Sequence, residues 1–273
     1  MPSATSVIKP PSPVAGNLTM GGVLRSEWTK FRSLRSTWWL LSMTVVLVVG
    51  LGLVLVVLEI NGGAPKQEPP YQVAQQIEFG ALITQLLLGV LGVLMFTGEY
   101  GSGMIRISVS VVPRRLMLLW AKLCVFCVVV LPLTLVSSVV AFLLGSLAWQ
   151  SHRGLKPVGF GDPQVTRIVI GSALAVAVTA ICGFGIGAII RSTAGGIGTL
   201  VGIFFVLPLV AEAALPRGVA GLARFLPSNA GSALWGGTIG PRSMMPWPGF
   251  ALQCGYAVAL VAVAAWRLRR GDA

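Results

Sequence analysis

The chain has 273 residues, of which 55% are hydrophobic and 10% are charged, and its formal net charge is +12 at pH 7. A soluble domain carries about 25% charged residues, so this composition excludes an ordinary water-soluble domain and favours a protein that resides in a bilayer. The basic residues flank apolar runs instead of forming a stripe on a domain, which favours an anionic membrane surface over nucleic acid as their partner.

The N-terminal part precedes the first apolar run. Residues 1–20 are rich in Pro and Ser and are predicted to be disordered. Residues 21–36 predict a basic amphipathic helix in the headgroup plane, although a plain extension of the first span also fits. One side carries apolar residues at helical spacing: Leu24, Trp28, Phe31 and Leu34. The other sides carry basic residues: Arg25, Lys30, Arg32 and Arg35.

Six apolar runs can each span a bilayer, which takes about 20 apolar residues per helix. They are about 38–60, 79–97, 117–148, 166–190, 195–215 and 248–267. We therefore predict an all-α membrane protein with six transmembrane helices, in which Pro132 kinks the third and Pro208 kinks the fifth. The fourth and fifth spans carry glycine pairs at a spacing that suits either packing within the chain or a dimer face: Gly183 and Gly187, Gly198 and Gly202.

The distribution of Lys and Arg predicts the orientation. An even number of spans puts both termini on one side, and that side receives the larger share of the basic residues, so both termini are predicted to be cytoplasmic. Residues 98–115 then face the cytoplasm. Residues 216–247, which are too polar and too rich in glycine to span, form an external connection that could contain short helices.

Residues 98–115 form a charged segment between two apolar runs. Glycines permit a sharp turn after Glu99, and Pro113 ends a short element before Arg114 and Arg115 anchor the third span at the headgroups. A short, charged segment of this kind suits docking by another protein. A plain cytoplasmic turn with positive-inside arginines explains the same residues.

Few polar side chains lie within the spans. Thr84 and Gln85 fall midway along the second span, where Gln85 must either bond to another helix or line a watery substrate path. Glu212, near the outer end of the fifth span, is the one acid predicted to lie well inside a span. It would be the ion-coupling residue of a secondary transporter, although such a residue more often reaches toward headgroups or closes an external gate.

Several kinds of catalytic chemistry are absent from the sequence. It contains no P-loop, no GxSxG and no HExxH. The chain has one histidine, and its four cysteines lie within apolar runs, so we predict reduced thiols and no metal site. Its eight acids are spread thinly and form no cluster suited to a membrane enzyme. The chain is therefore not predicted to be an enzyme.

Two stretches carry a resemblance to a known family. "LRSEWTKFRSLRSTWWLL" and "TGEYGSGMIRISVSVVPRR" resemble the two cytoplasmic motifs of type 2 ABC exporter permeases of actinobacteria. "FLPSNAGSAL", "PWPGF" and the ending "AAWRLRRGDA" are similar to the external connection and tail of that family. The resemblance covers nearly all of residues 23–273 and departs at Gly101, where the family more often has a larger polar or basic residue.

The resemblance implies a mechanism as well as a fold. Six spans would form one half of a transport path, and the N-terminal amphipathic helix would be a connecting helix. The loop between spans two and three would be a coupling helix that docks on a separate ATPase subunit. The matching coupling residues are Glu99, Tyr100, Gly103, Ile105, Arg106, Pro113, Arg114 and Arg115. The matching residues of the connecting helix are Glu27, Trp28, Lys30, Arg32 and Arg35.

The resemblance also implies partners. Two permease copies, expected to be identical, would bind two ABC ATPase subunits, which hold the ATP and Mg, in a bacterial plasma membrane. Spans two and five would line the path, so the candidate path residues are Thr84, Gln85, Pro208 and Glu212. Export follows from the resemblance, and a path with few charges suits an amphipathic or apolar cargo such as a drug, an antibiotic or a lipid. Three other classes remain open: an ion-coupled secondary transporter, a non-transporting membrane scaffold or sensor subunit, and a membrane enzyme.

Overall fold

The computed structural model describes residues 19–62, 70–101, 115–151, 158–214, 220–236 and 244–270. Within these ranges every regular element is a helix, as predicted. The predictions for residues 1–18 and for residues 102–114 fall outside the described part of the chain. The coupling residues that fall there are Gly103, Ile105, Arg106, Pro113 and Arg114.

The first two helices are separated by one residue. Helix α1 (Met20–Ser33) begins after Thr19, whose hydroxyl accepts a hydrogen bond from the Gly22 N–H at 3.3 Å. Leu34 has an extended backbone and ends α1 before α2 (Arg35–Asn61), which is the first span. The indole of Trp38 in α2 donates to the Arg32 carbonyl at 3.0 Å, and this hydrogen bond stabilises the junction between α1 and α2.

The second span is longer than the sequence predicts. Helix α3 (Pro70–Glu78) precedes α4 (Gly80–Gly101), and a break at Phe79 separates them. Together they make one candidate span, Pro70–Tyr100, whereas the apolar run starts only at residue 79. The prediction failed at this end because three glutamines and Glu78 interrupt the apolar pattern. Glu78 is buried by neighbouring helices, and Gln75 and Gln76 are partly buried, so these polar residues do not face lipid fully.

The fourth span is the centre of the bundle. Helix α5 (Arg115–Gln150) is the third span and contains Pro132, and α6 (Pro163–Ile190) is the fourth. Asp162 caps α6 by accepting from the Gln164 N–H at 2.8 Å, and Pro163 occupies its first turn. Helix α6 is the most buried of the six spans. Helices α3, α4 and α5 pack around it together with the last helix, whereas α2 packs on α4 and α5.

The seam between α4 and α6 depends on glycine. A Cβ on Gly183 would collide with the backbone of Gly89, and one on Gly187 would collide with the backbone of Val93. Gly92 in turn lies against the backbone of α6. The glycine pair of the fourth span therefore packs against the second span of the same chain, which is one of the two alternatives that the sequence leaves open.

The fifth span is irregular near its proline. It consists of α7 (Thr193–Val201), a π-helical turn (Gly202–Val206) and α8 (Leu207–Ala214). Pro208 has no N–H to donate to the preceding turn, which accounts for a departure from α geometry at this point. A Cβ added to Gly198 or Gly202 would meet no atom of another turn or helix within 4 Å among the described residues.

The external connection and the last span pack on each other. A 3₁₀ turn (Ala220–Phe225) and α9 (Pro227–Ser232) lead toward α10 (Pro246–Arg270), the sixth span. The hydroxyl of Tyr256 in α10 donates to the Phe225 carbonyl at 2.7 Å. Six helices of the described chain are thus long and apolar enough to cross a membrane, which confirms the predicted fold class.

Candidate coupling site at one end of the bundle

Four charged side chains meet at the end of the bundle that carries α1. The Lys122 ammonium lies 2.6 Å from Glu27 Oε2 and 2.7 Å from Glu99 Oε1. The Lys30 ammonium lies 2.8 Å from Glu27 Oε1 and 3.1 Å from Glu99 Oε1. Each lysine therefore bridges both glutamates, and two positive charges balance two negative ones. We call Glu27, Lys30, Glu99 and Lys122 the charged cluster.

The charged cluster joins three helices that are far apart in sequence. Glu27 and Lys30 belong to α1, Glu99 lies near the C-terminal end of α4, and Lys122 lies two turns into α5. Helix α4 enters the segment of residues 102–114, and α5 leaves it. The connecting helix is therefore bonded to the helices on both sides of residues 102–114.

Most of the charged cluster is removed from water. The exposed fraction of the side chain is 2% for Glu27, 3% for Lys122, 11% for Glu99 and 31% for Lys30. Partial burial lowers the pKa of Lys30, but its hydrogen bond to Glu27 and the charges of Glu27 and Glu99 raise that pKa by more, so it lies above its usual value. Lys30 therefore stays charged across the physiological pH range.

Aromatic side chains surround the inner side of the charged cluster. The ring of Phe96, one turn before Glu99, stacks on Tyr100 and meets the edge of Phe184, with both centroid distances 5.9 Å. The guanidinium of Arg191 lies 5.7 Å from the centre of the Tyr100 ring. Arg191 forms the tight turn between α6 and α7 with a left-handed backbone, φ 59°. The charged cluster thus connects to the centre of the bundle through packed rings.

The comparison with protein families decides the identity of the chain. Residues 23–208 match the model of the ABC-2 family transporter protein. The chain belongs to the ABC-2 transporter family. The match begins in α1 and ends at Pro208 in the fifth span, so it includes all four residues of the charged cluster. No curated protein matches the sequence significantly.

Family membership confirms the resemblance found in the sequence. An ABC-2 family protein with six apolar helices is a multi-pass membrane protein and the membrane-embedded part of an ABC transporter. The family also implies an ATPase partner. We therefore refer to the chain as the permease.

The predicted connecting and coupling residues take different places in the permease. Glu27, Lys30 and Glu99 meet in the charged cluster, and Tyr100 lies next to them. Other residues of the connecting helix point away: Trp28 is 44% exposed and Arg32 is exposed. Arg35 is exposed at the first position of α2, and Arg115 is the first residue of α5.

Lys122 is not among the predicted coupling residues, yet it makes the two shortest ion pairs of the charged cluster. In the sequence it counts only as one more basic residue near the membrane surface. A signal was present, because Lys122 is an isolated lysine within the apolar run 117–148. An ion in such a run needs a partner, and the nearest acid in the sequence is Glu99.

The candidate path residues of the second span are buried within the permease. The Thr84 hydroxyl donates to the Gly80 carbonyl of its own helix at 3.0 Å. Gln85 accepts a hydrogen bond from Thr179 at 3.3 Å, and Thr179 in turn accepts one from Gln253 at 3.0 Å. These contacts link α4, α6 and α10, which corresponds to the bond between helices that the sequence leaves open for Gln85.

The candidate path residues of the fifth span lie in α8. Pro208 is buried. For Glu212 the structure describes only the backbone, which is helical. A different acid lies deep in the bundle. Glu78, at the end of α3, has no exposed surface. The sequence prediction misses Glu78 because the apolar run of the second span starts one residue later, at Phe79.

No group of three His, Cys, Asp or Glu residues that could hold a metal ion occurs in the described part of the chain. The four cysteines are free thiols, and Cys182 is the one that is fully buried.

Proposed function

We propose that the permease is driven by a separate ABC ATPase that docks on residues 98–115, and that it exports its cargo. The observation that supports the coupling is the charged cluster, which bonds α1 to the helices on both sides of that segment. A buried ion-pair network is a good mechanical joint, because separating its members leaves uncompensated charges in a dry environment.

The arrangement favours movement of the three helices as one body. A push on the coupling segment acts on the end of α4 and on the start of α5. The Glu99–Lys30 ion pair ties α4 to α1, and the Lys122–Glu27 ion pair ties α5 to α1. The glycines between α4 and α6 also bring the backbones of these two helices into direct contact. Displacement at the charged cluster therefore passes to the centre of the bundle without relying on flexible side chains.

The driving energy is assigned to the partner. The sequence contains no P-loop, so ATP and Mg would bind to the ATPase subunits, two per complex with two permease copies. The pairing is supported by the fifth span, which exposes Leu207, Leu209 and Val210 along α8 and has unoccupied space beside Gly198.

Basic residues at one end of the bundle support a cytoplasmic orientation for that end. Helix α1 carries Arg25 and Arg32, α10 ends with Arg267, Arg269 and Arg270, and the Arg267 guanidinium donates to the carbonyl of Ile189 next to the Arg191 turn. By the positive-inside rule this end, with both termini, faces the cytoplasm of a bacterial cell. Docking of a cytoplasmic ATPase requires this orientation. Export and an apolar or amphipathic cargo are carried over from the resemblance.

A copurification experiment tests the docking. The permease and its ABC ATPase are expressed together, and the ATPase recovered with the tagged permease is quantified for wild type, Arg106→Glu and Lys66→Glu. Lys66→Glu is the matched control, because it makes the same charge change to a lysine in the predicted external loop between the first two spans. We expect Arg106→Glu to lose most of the ATPase and Lys66→Glu to retain it.

Two results would contradict the proposal. One is equal recovery of the ATPase with Arg106→Glu and with wild type, combined with equal transport. The other is ATP-independent transport by the purified permease alone in sealed vesicles, which would favour a secondary transporter. Recovery of an ATPase without any ATP-dependent flux would instead indicate a scaffold or sensor subunit.

A further inference from the structure

A closed polar site lies inside the bundle at the break between α3 and α4. Glu78 is its acidic residue and has no exposed surface. A cavity of about 10 Å³ adjoins its carboxyl group. One water molecule needs at least that much space, so the site excludes any cargo. It is lined by hydroxyl and small apolar residues: Thr44, Thr84, Thr134, Ser138, Ser172 and Ala173.

Four oxygen atoms crowd together on one side of this carboxyl group. Glu78 Oε2 lies 2.8 Å from Ser138 Oγ and 2.6 Å from Ser172 Oγ. The two hydroxyl oxygens are 3.0 Å apart, and they lie 2.7 Å and 2.9 Å from the Val169 carbonyl oxygen. Each serine supplies one hydroxyl proton. Two protons cannot satisfy five oxygen–oxygen contacts at hydrogen-bond distance.

The other lining hydroxyls donate elsewhere. Thr44, Thr84 and Thr134 donate to carbonyls of their own helices at 2.8, 3.0 and 3.1 Å. Glu78 Oε1 has no hydrogen-bond partner among the described residues. The oxygen atoms of the site thus offer more lone pairs than there are hydroxyl protons to bond with them. An additional positive charge is needed to balance them.

No described cation supplies that charge. Glu78 is the one ionisable residue among those that line the cavity. On the packed helices the charged residues nearest in sequence to the lining residues are Arg35 and Glu59 of α2, Glu99 of α4, Lys122 of α5 and Arg167 of α6. Arg35 lies about 14 Å along α2 from Thr44. Arg167 lies five residues and about 140° around α6 from Ser172, and none of the four ion pairs of the described chain includes it. Lys122 lies about 24 Å along α5 from Ser138.

We propose that Glu78 is a proton-binding site that carries its proton at neutral pH. The protonated carboxyl donates from Oε2 to one serine, which donates to the second, and the second donates to the Val169 carbonyl. In this series of hydrogen bonds each consecutive pair of oxygen atoms shares one proton. An ionised carboxyl without a cation would be strongly disfavoured at this depth.

The distances favour a proton over a metal ion. Oxygen ligands bound at about 2.3 Å and at right angles around a cation are roughly 3.3 Å apart. The oxygens around Oε2 are 2.6 to 3.0 Å apart, which is the range of hydrogen bonds. The proton would reside on the permease alone and needs no ATPase.

Infrared spectroscopy of the purified permease in lipid tests the proposal. A protonated carboxylic acid has a C=O stretching band that ionised glutamates lack, and exposed glutamates are ionised at about pH 7. We expect this band in wild type at about pH 7, its loss in Glu78→Gln, and its retention in Glu59→Gln, the matched control. Ser138→Ala and Ser172→Ala should shift the band, because each removes a hydroxyl from the chain; they provide the readout if Glu78→Gln fails to fold.

Three outcomes would overturn the proposal. One is the absence of the band in wild type at about pH 7. Another is a band that stays in Glu78→Gln or that neither serine variant shifts. The third is a band that is present in choline chloride and abolished in sodium chloride, which would identify a sodium site instead.

Discussion

Lys122 is the member of the charged cluster whose loss should cost most. Its ammonium pairs with Glu27 and Glu99, and its side chain is 3% exposed. The substitution Lys122→Met keeps the length of the side chain and leaves two largely buried carboxylates with one lysine between them. Removing one partner of a buried pair costs about 3–5 kcal/mol, so we expect a loss of that size in the free energy of unfolding.

The matched control is Lys30→Met, which removes the other lysine from the same two glutamates. Because the Lys30 side chain is 31% exposed, water screens the charges that it leaves behind, and the expected loss is about 1 kcal/mol. The measurement is unfolding of the permease in mixed micelles by increasing SDS, followed by tryptophan fluorescence and circular dichroism.

A double variant separates charge imbalance from lost packing. Lys122→Met with Glu27→Gln leaves Lys30 and Glu99 as a balanced pair, so it should be more stable than Lys122→Met alone, with a coupling of about 1–3 kcal/mol. The electrostatic explanation is wrong if Lys122→Met costs no more than Lys30→Met. It is also wrong if the cost of the double variant equals the sum of the costs of Lys122→Met and Glu27→Gln.

Two further predictions concern packing. Gly183→Val should force α4 away from α6 and cost about 1–3 kcal/mol or more in the same unfolding assay. Gly198→Ala, at a position with open space around it, should be neutral or stabilise by up to about 1 kcal/mol. Equal effects of the two substitutions would contradict close packing between α4 and α6. Tyr256→Phe should remove the hydrogen bond to the Phe225 carbonyl, cost about 1 kcal/mol and speed proteolysis near Phe225. An unchanged cleavage rate would show that this bond does not hold the connection.

Hydrophobic patterns in the sequence predict the spans well because each span must satisfy its own backbone hydrogen bonds and cover itself with apolar side chains. The predicted run 248–267, for example, corresponds to the helix Pro246–Arg270. The same reasoning fails at the start of the second span. Polar residues such as Glu78 are tolerated there because the neighbouring helices, not lipid, surround them, and a linear pattern does not contain those neighbours.

The candidate coupling site is predictable in part. Family-like motifs single out Glu27, Lys30 and Glu99. Their mutual contact depends on the tertiary structure, because 69 residues separate Lys30 from Glu99. Lys122 carries no motif, and only its isolation in an apolar run marks it as a residue in need of a partner. Which helix supplies that partner depends on how the bundle closes, and helix periodicity does not determine this.

The sequence separation within the charged cluster has a consequence for biosynthesis. Glu27 is made 95 residues before Lys122, so two spans are synthesised before its buried partner exists. During that interval Lys30, three positions away on the same helix, is the lysine within reach of Glu27. Helix α1 can pair with Glu99 once the second span is complete, and we expect it to gain its full set of ion pairs only after the third span has been synthesised.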